Sequence, residues 1–557
     1  MPSKFKSIKT RPICLPEKNT SLFVCSSLFV ALIFNLLHLP ALGEAEPKAQ
    51  SAEGARSVEL KAIVANWLKI PALAHSNVGL ELMDVPTGKV LFSYNGNRRF
   101  VPASVVKAIT CACAYDELGP EFTYKTVLAG EGKLTGDRLH GNLVIVPSQD
   151  PTISRADLAV MIKEAVKSQG AIKQIDGKIK FTGILGADGF NPAWLVEDWG
   201  RYWMPVTSDL VVDRNITHTE GLPAIYKARN ANSMHGALFD SLLSAKYGPS
   251  WTYADSGRRN LFVYRSNHPQ SPNSVTLAVA NPNTFNTVLV EQLLKQNGVK
   301  LLNQNIAVGP GDQIYQLAVH SSKPLSTILQ TTLHKSDNLY AQQVLRTLGV
   351  RTFQTKSEAE KKTAADQGVE LDNQGLIAIS KWLSQIGVPA QEVLLFDGCG
   401  LARKNGISPH ALNLVLRHMA GDDATGKYLD LLKANDESDK GRGSYRFKTG
   451  TMDTVRAISG ILATSGKQNL ALTIMVNGHT PSVRNLKIAM SVLINKLRVI
   501  KQMGPPDKSI QTATESDPSL DVAEPTRLII DQQALNAAPK APVKKSLRKK
   551  GRKSRGH

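Results

Sequence analysis

The sequence predicts a mixed α/β (α+β) fold whose main domain draws on both ends of the chain. Near the N-terminal end, a helical period leads into two apolar runs separated by Pro86, Thr87 and Gly88. Near the C-terminal end, two more strand-like runs precede an amphipathic helix. Between the two, short β-like runs alternate with Gly/Pro/Asn turns.

Taken in order, residues 1–45 read as an export signal. Lys4, Lys6, Lys9, Arg11 and Lys18 precede an apolar stretch from Leu22 to Leu39, and small residues follow at Ala41, Gly43 and Ala45. The segment is either cleaved after Gly43 or Ala45 or kept as a signal anchor. Both routes put the rest outside the cytoplasm, in the periplasm or at the outer face of the cytoplasmic membrane. Residues 46–56 form a polar linker. SVELKAIVANWLKI is expected to be a helix burying Val58, Ile63, Val64, Trp67 and Leu68. VGLELMDV and KVLFSY form a hairpin, and SVVKAITCACAYDEL is a helix ending near Gly119-Pro120.

Residues 57–120 and 323–500 make the main domain, and 121–322 are inserted β-rich structure. LVIVP, LVVDRN, LFVYR and SVTLAVA are its expected strands. After Lys323 come helices in LSTILQTTLHKSDNLYAQQVLRTLG and LIAISKWLSQIG. The strands AISGILATS and NLALTIMVNG follow, and then the helix VRNLKIAMSVLINKLRVI. The tail, 504–557, crowds Lys544, Lys545, Arg548, Lys549, Lys550, Arg552, Lys553 and Arg555 together and is expected to be disordered. It serves either as a solvated tail or as an electrostatic contact with anionic wall polymer, membrane or nucleic acid.

A hydrophobic fraction of 42% in 557 residues supports a core that needs no disulfide staples. The net charge of +20 alone does not select nucleic acid, because exported proteins facing anionic surfaces carry the same sign. Of five cysteines, Cys14 and Cys25 lie in the leader. Cys111 and Cys113 fall on different faces of one helix, and no CxxC pair exists, which argues against a structural zinc.

Three short motifs carry chemistry. Ser104 and Lys107 lie three apart at a helix start, on one face, where a neutral lysine amine can take the serine proton. Ser336-Asp337-Asn338 offers a hydroxyl and a carboxamide on a turn. Lys448-Thr449-Gly450-Thr451 offers a cation, two hydroxyls and a close-approach glycine for a carboxylate along a strand edge. Each alone also fits a helix cap or a strand bulge; Ser546 and Lys549 repeat the first spacing inside the tail. The ordered set S-x-x-K, S-D-N, K-T-G is the pattern of penicillin-binding proteins and class A β-lactamases.

From about Val58 to Leu497 the chain resembles the D-Ala-D-Ala carboxypeptidase/endopeptidases of the penicillin-binding protein 4 type. The likeness lies in VPASVVKAITCACAYDELGPEFTYKTVL, DPTIS at Asp150–Ser154, LVVDRN and FDGCGLARKNGISP, besides the triplet. The long interval from Ser104 to Ser336 suits this type and not an ordinary β-lactamase. The resemblance implies a transpeptidase-like domain with a five-stranded antiparallel sheet flanked by helices, interrupted by inserted domains. It implies Ser104 as nucleophile, Lys107 as base, Ser336 as proton relay, Asn338 as amide holder and Lys448 as a source of positive potential. Thr449 and Thr451 would bind the terminal carboxylate, and Gly450 would let the strand approach. The backbone N–H groups of Ser104 and Thr451 would form the oxyanion hole. Peptidoglycan stem peptides are the implied substrates and β-lactams the covalent inhibitors, with neither metal nor organic cofactor. Asp198 and Trp203 match the family's diaminopimelate pocket by position; a surface-loop aspartate is the other reading.

Three departures stand out: Cys399 replaces the family's serine, Pro147-Ser148-Gln149 lacks the usual glycines, and NDESDKGRGSYRF is unusual before Lys448. A β-lactamase and a catalytically silent wall-binding protein are the competing functions. The insert and the intact motifs weigh against them.

Overall fold

The computed structural model describes residues 60–503 except 184–185, 187–188, 196–197, 205, 219–235, 241–249, 254–260, 266–275, 308, 310–312, 362–369, 422–426, 435–442, 480–482 and 502. The chain divides into Met1–Ala49 and Gln50–His557. The leader, the linker, Val58 and the basic tail lie outside the described residues.

Helix α1 (60–68) buries Leu60, Val64 and Trp67. Strands β1 (Asn77–Asp84) and β2 (Val90–Tyr94) form the expected hairpin. Its turn is closed by Asp84, whose carboxylate accepts from the Thr87 N–H at 3.1 Å and hydroxyl at 2.5 Å. Helix α2 (Val106–Leu118) is buried from Val106 through Tyr115, so its apolar pattern runs all round, as a central helix requires. Gly119 ends it at φ +84°.

The inserted region is less purely β than expected. Strands β3 (Lys125–Thr135) and β4 (Arg138–Val146) pair antiparallel, and β5 (Gln313–Ser321) pairs antiparallel with β3. Short strands at Gln174–Ile175 and Ile179–Phe181 lie parallel to β4. Two helices, α3 (Arg155–Ala171) and α4 (Pro282–Gln296), contribute to a core with this sheet. Neither was expected, although Leu158, Met161, Ile162 and Ala165 fall at helical spacing and Ser154 with Asp157 forms a capping box.

Leu261–Arg265 and Thr276–Ala278 are strands within two of the expected runs. LVVDRN is not a strand. Leu210, Val211 and Val212 are buried, but Asp213, Arg214 and Asn215 all have positive φ (48°, 60° and 50°), which a strand cannot hold.

The chain then returns through α5 (Leu325–Lys335), α6 (Asn338–Gln354), α7 (Leu371–Gln385) and α8 (Pro409–Gly421), the last not among the expected helices. Strands β6 (Tyr445–Met452), β7 (Val455–Ala463) and β8 (Asn469–Asn477) precede α9 (Val483–Arg498). These strands join the N-terminal hairpin in one antiparallel sheet of order β6-β7-β8-β1-β2, edged by the short strand Lys433–Ala434. Alternation along the strands sends Leu80, Leu82, Leu472 and Ile474 to one face, where they pack with α1 and α9. Met83, Ala457, Ala471 and Met475 face α2, α5, α6 and α8. The sheet is thus covered on both faces, and the layer of α2 carries the first motif.

Candidate active site

Ser104 sits in a single 3-10 turn, Ala103–Val105, immediately before α2. Ala103 takes a left-handed φ of +50°, which turns the chain sharply into the helix. Strand β6 passes directly alongside. A Cβ on Gly450 would lie 2.6 Å from the Pro102 carbonyl oxygen and 3.1 Å from the Ser104 nitrogen, so only glycine permits this approach.

At the second position of α2, the wholly buried Lys107 reaches three oxygens. Its Nζ is 3.1 Å from Ser104 Oγ, 2.6 Å from Asn338 Oδ1 and 2.5 Å from the Cys399 carbonyl oxygen. Burial depresses its pKa against the opposing pull of the Asp397 and Asp337 carboxylates. Two of the three partners are carbonyls, which can only accept. The third is a hydroxyl, which can also donate. Protonated, the amine donates to all three oxygens; neutral, it gives two N–H groups to the carbonyls and can accept the Ser104 O–H.

Ser336 closes α5 as a left-handed C-cap (φ +55°), and Asp337 caps the start of α6 through the Tyr340 N–H at 3.2 Å. The two caps force a tight turn that presents Ser336 and Asn338 to the same cleft. Lys448 Nζ donates to Ser336 Oγ at 2.9 Å and to the Thr449 carbonyl at 2.8 Å. Burial, then repulsion from Lys107, brings Lys448 down to about 7. Thr449 and Thr451 are exposed on the opposite side of β6 from Lys448 and Gly450. The structure therefore forms two hydrogen-bonded groups, Lys107 with Ser104 and Asn338, and Lys448 with Ser336, joined through the Ser336–Asn338 turn, with Thr449, Gly450 and Thr451 along the adjoining strand.

Several contacts carry no side-chain signal in the sequence. The Cys399 carbonyl is aimed by Asp397, which accepts from Gly400 N and Ala402 N at 2.7 Å, Trp194 Nε1 at 2.7 Å and Asn405 Nδ2 at 2.9 Å. Burial pushes the Cys399 thiol well above the usual cysteine range, so it is inert as a nucleophile. Asn338 Nδ2 donates to the Trp203 carbonyl at 2.6 Å, which fixes the amide with its oxygen toward Lys107. Arg214 pairs with Asp337 at 2.5 Å. Trp203 thus meets the second motif through its main chain, and Asp198 starts the turn that leads to it, with its carbonyl accepting from Arg201 N at 3.1 Å. Gln149, where glycine is usual, holds φ +67° and is buried. It donates to Asp209 at 2.6 Å and accepts from Arg346 Nε at 3.1 Å.

Residues 60–497 match the D-Ala-D-Ala carboxypeptidase 3 (S13) family. The chain belongs to this family. D-Ala-D-Ala carboxypeptidase activity comes with that membership. Among curated relatives of this carboxypeptidase, it is 24% identical to the D-alanyl-D-alanine carboxypeptidase DacB of Haemophilus influenzae over 73% of the chain and 86% of that protein. It is 26% identical to a D-alanyl-D-alanine carboxypeptidase of Actinomadura sp. (strain R39), over 80% of the chain and 86% of that protein. The crystal structure of penicillin binding protein 4 (dacB) from H. influenzae superposes with a TM-score of 0.62 at 20% identity, covering 78% of this chain and 98% of that one. The same protein complexed with a β-lactam gives 0.59, covering 79% and 99%. The carboxypeptidase shares their fold. Among the described residues no helix is long and apolar enough to cross a membrane, and no cluster of His, Cys, Asp or Glu is suited to a metal.

Proposed function

We propose that Ser104 is the acylated nucleophile of this carboxypeptidase, with Lys107 its base. The carrying observation is the Lys107 environment, in which a wholly buried amine is held by two carbonyl oxygens with its Nζ 3.1 Å from Ser104 Oγ. In this reading Ser104 Oγ attacks the carbonyl of the penultimate D-alanine as its proton passes to Lys107 Nζ. The backbone N–H groups of Ser104 and Thr451 receive the oxyanion. Ser336, hydrogen-bonded to Lys448, relays that proton from Lys107 to the departing D-alanine nitrogen, which leaves Lys107 neutral again. Asn338 then holds the acyl peptide's amide while water, deprotonated by Lys107, hydrolyses the ester. Thr449 and Thr451 bind the terminal carboxylate, in a field to which protonated Lys448 contributes.

Residues 57–120 and 323–500 are proposed as the catalytic domain and 121–322 as its insertion. The β6-β7-β8-β1-β2 sheet and the separate core of the inserted region support that division. Peptidoglycan stem peptides are the proposed substrates, and cross-linked peptides a second class. The N-terminal charge and apolar pattern supports export to the periplasm or the outer face of the cytoplasmic membrane, and the basic tail supports contact with anionic wall polymer or membrane. Asp198, near Trp203, is proposed to pair with the free amino group of a diaminopimelate residue.

The decisive experiment incubates the chain lacking residues 1–45 with a fluorescent penicillin, beside Ser104→Ala. A persistent adduct on wild type alone is the expected result. Rapid turnover of the penicillin would point to a β-lactamase, and folded wild type without an adduct would refute the nucleophile assignment.

A further inference from the structure

The described part of the site contains an arginine that none of the three motifs includes. Arg456 lies on β7 directly opposite Thr451 in the β6–β7 register, so its side chain emerges on the face that carries Thr449 and Thr451. Its Nη1 donates to Thr451 Oγ. Of the five N–H donors of a guanidinium, Nε is enclosed and has no partner among the described residues. An enclosed, unspent donor on a cation is costly, and such costs collect at sites that meet an anion.

We infer that Arg456 binds the free terminal carboxylate of the substrate together with Thr451, and so selects peptides that end in an acid. This rests on the peptidase reading above. Two physical points carry it. By donating to Thr451 Oγ, Arg456 occupies that oxygen as an acceptor and leaves the hydroxyl proton to point outward, toward an acceptor such as a carboxylate. Lys448, with a pKa of about 7, supplies an incomplete charge at neutral pH. Arginine remains protonated throughout even though burial lowers it, and so provides the permanent positive charge beside β6. Arg403, near the β6–β7 turn, is occupied elsewhere: its guanidinium lies 3.5 Å from the Asp453 carbonyl and 3.9 Å from its carboxylate.

The test compares release of the terminal residue from diacetyl-L-Lys-D-Ala-D-Ala and from its C-terminal amide, for wild type, Arg456→Gln and Arg456→Lys. Arg456→Gln should lower kcat/KM for the acid roughly ten- to hundredfold, the range for a charge-assisted hydrogen bond. The amide should change by no more than about twofold, and Arg456→Lys should recover part of the loss. Fluorescent penicillin at saturation should still label Arg456→Gln stoichiometrically, showing an assembled site. Equal losses on acid and amide, or no loss on either, would overturn the inference and leave the peptidase reading standing. A folded wild type that cleaves neither peptide and takes up no penicillin would overturn both.

Discussion

At the scale of single residues, the roles proposed for the two lysines set the pH range of catalysis. Lys107 acts as a base only when neutral, so kcat/KM for D-alanine release should rise with pH as its depressed pKa is passed. Lys448 contributes positive potential only when protonated, so the rate should fall as pH climbs through about 7. The groups repel each other, and the two limbs belong to the pair. Lys448→Arg, which cannot lose its charge in this range, should lower the maximum but abolish the descending limb in a pH–rate profile. Lys107→Ala should slow acylation by about a hundred- to ten-thousandfold, measured by penicillin labelling rate. The side chains of this arrangement were legible as three spaced motifs. The Cys399 and Trp203 carbonyls were not, because a backbone acceptor leaves no mark on residue type. Arg456 was missed because the role inferred for it comes from cross-strand register with Thr451, five residues away through a turn but adjacent in the sheet.

Among the secondary-structure elements, the contact between β6 and the turn before α2 is the tightest constraint. Gly450→Ala places a methyl group against the Pro102 carbonyl, which is backbone and cannot swing aside. The strand must retreat, and a displacement of that order should cost about a hundredfold in acylation rate while the fold survives, as checked by circular dichroism. A second clamp joins β1 to α8, where His410 Nδ1 meets buried Glu81 at 3.0 Å. This hydrogen bond raises the His410 pKa above its ordinary value of 6.5. A raised histidine stabilises the fold fully below the unfolded value and loses that contribution as pH rises through the folded one. Thermal melts above pH 6.5 should therefore decline less steeply with pH in His410→Gln than in wild type. Helices α1, α5, α7 and α9 were readable from their period and the β1–β2 and β7–β8 hairpins from their turn residues, whereas α8 was not read despite its buried Leu412, Val415, Leu416 and Met419. α3 and α4 were obscured by neighbouring β-like runs, and LVVDRN imitated a strand because buried extended segments and strands share the same apolar residues.

Across the whole molecule, α6 ties the inserted region to the site. Asn338 at its start accepts orientation from Trp203. Two turns further on, Arg346 is 2% exposed and reaches Asp209 at 2.9 Å, while Gln343 donates to the Ser208 carbonyl at 2.8 Å. Arg346→Met would strand Asp209 without its cation and should cost about 3–5 kcal/mol in urea unfolding. Arg214→Gln frees Asp337 and the adjacent amide, and should reduce turnover more than stability.

The sheet that pairs Asn77 with Asn477 also has a consequence for how the enzyme is made. A ribosome delivers Ser104, the proposed nucleophile, early and the strand that completes its sheet last, so no stretch of nascent chain short of β8 can hold a working site. The contiguous inserted region, with its own core, can fold while the rest is still emerging. The hairpin and α2 must wait, unpaired, for a partner some four hundred residues behind them. A peptidase assembled in this order is inert until its synthesis is nearly complete.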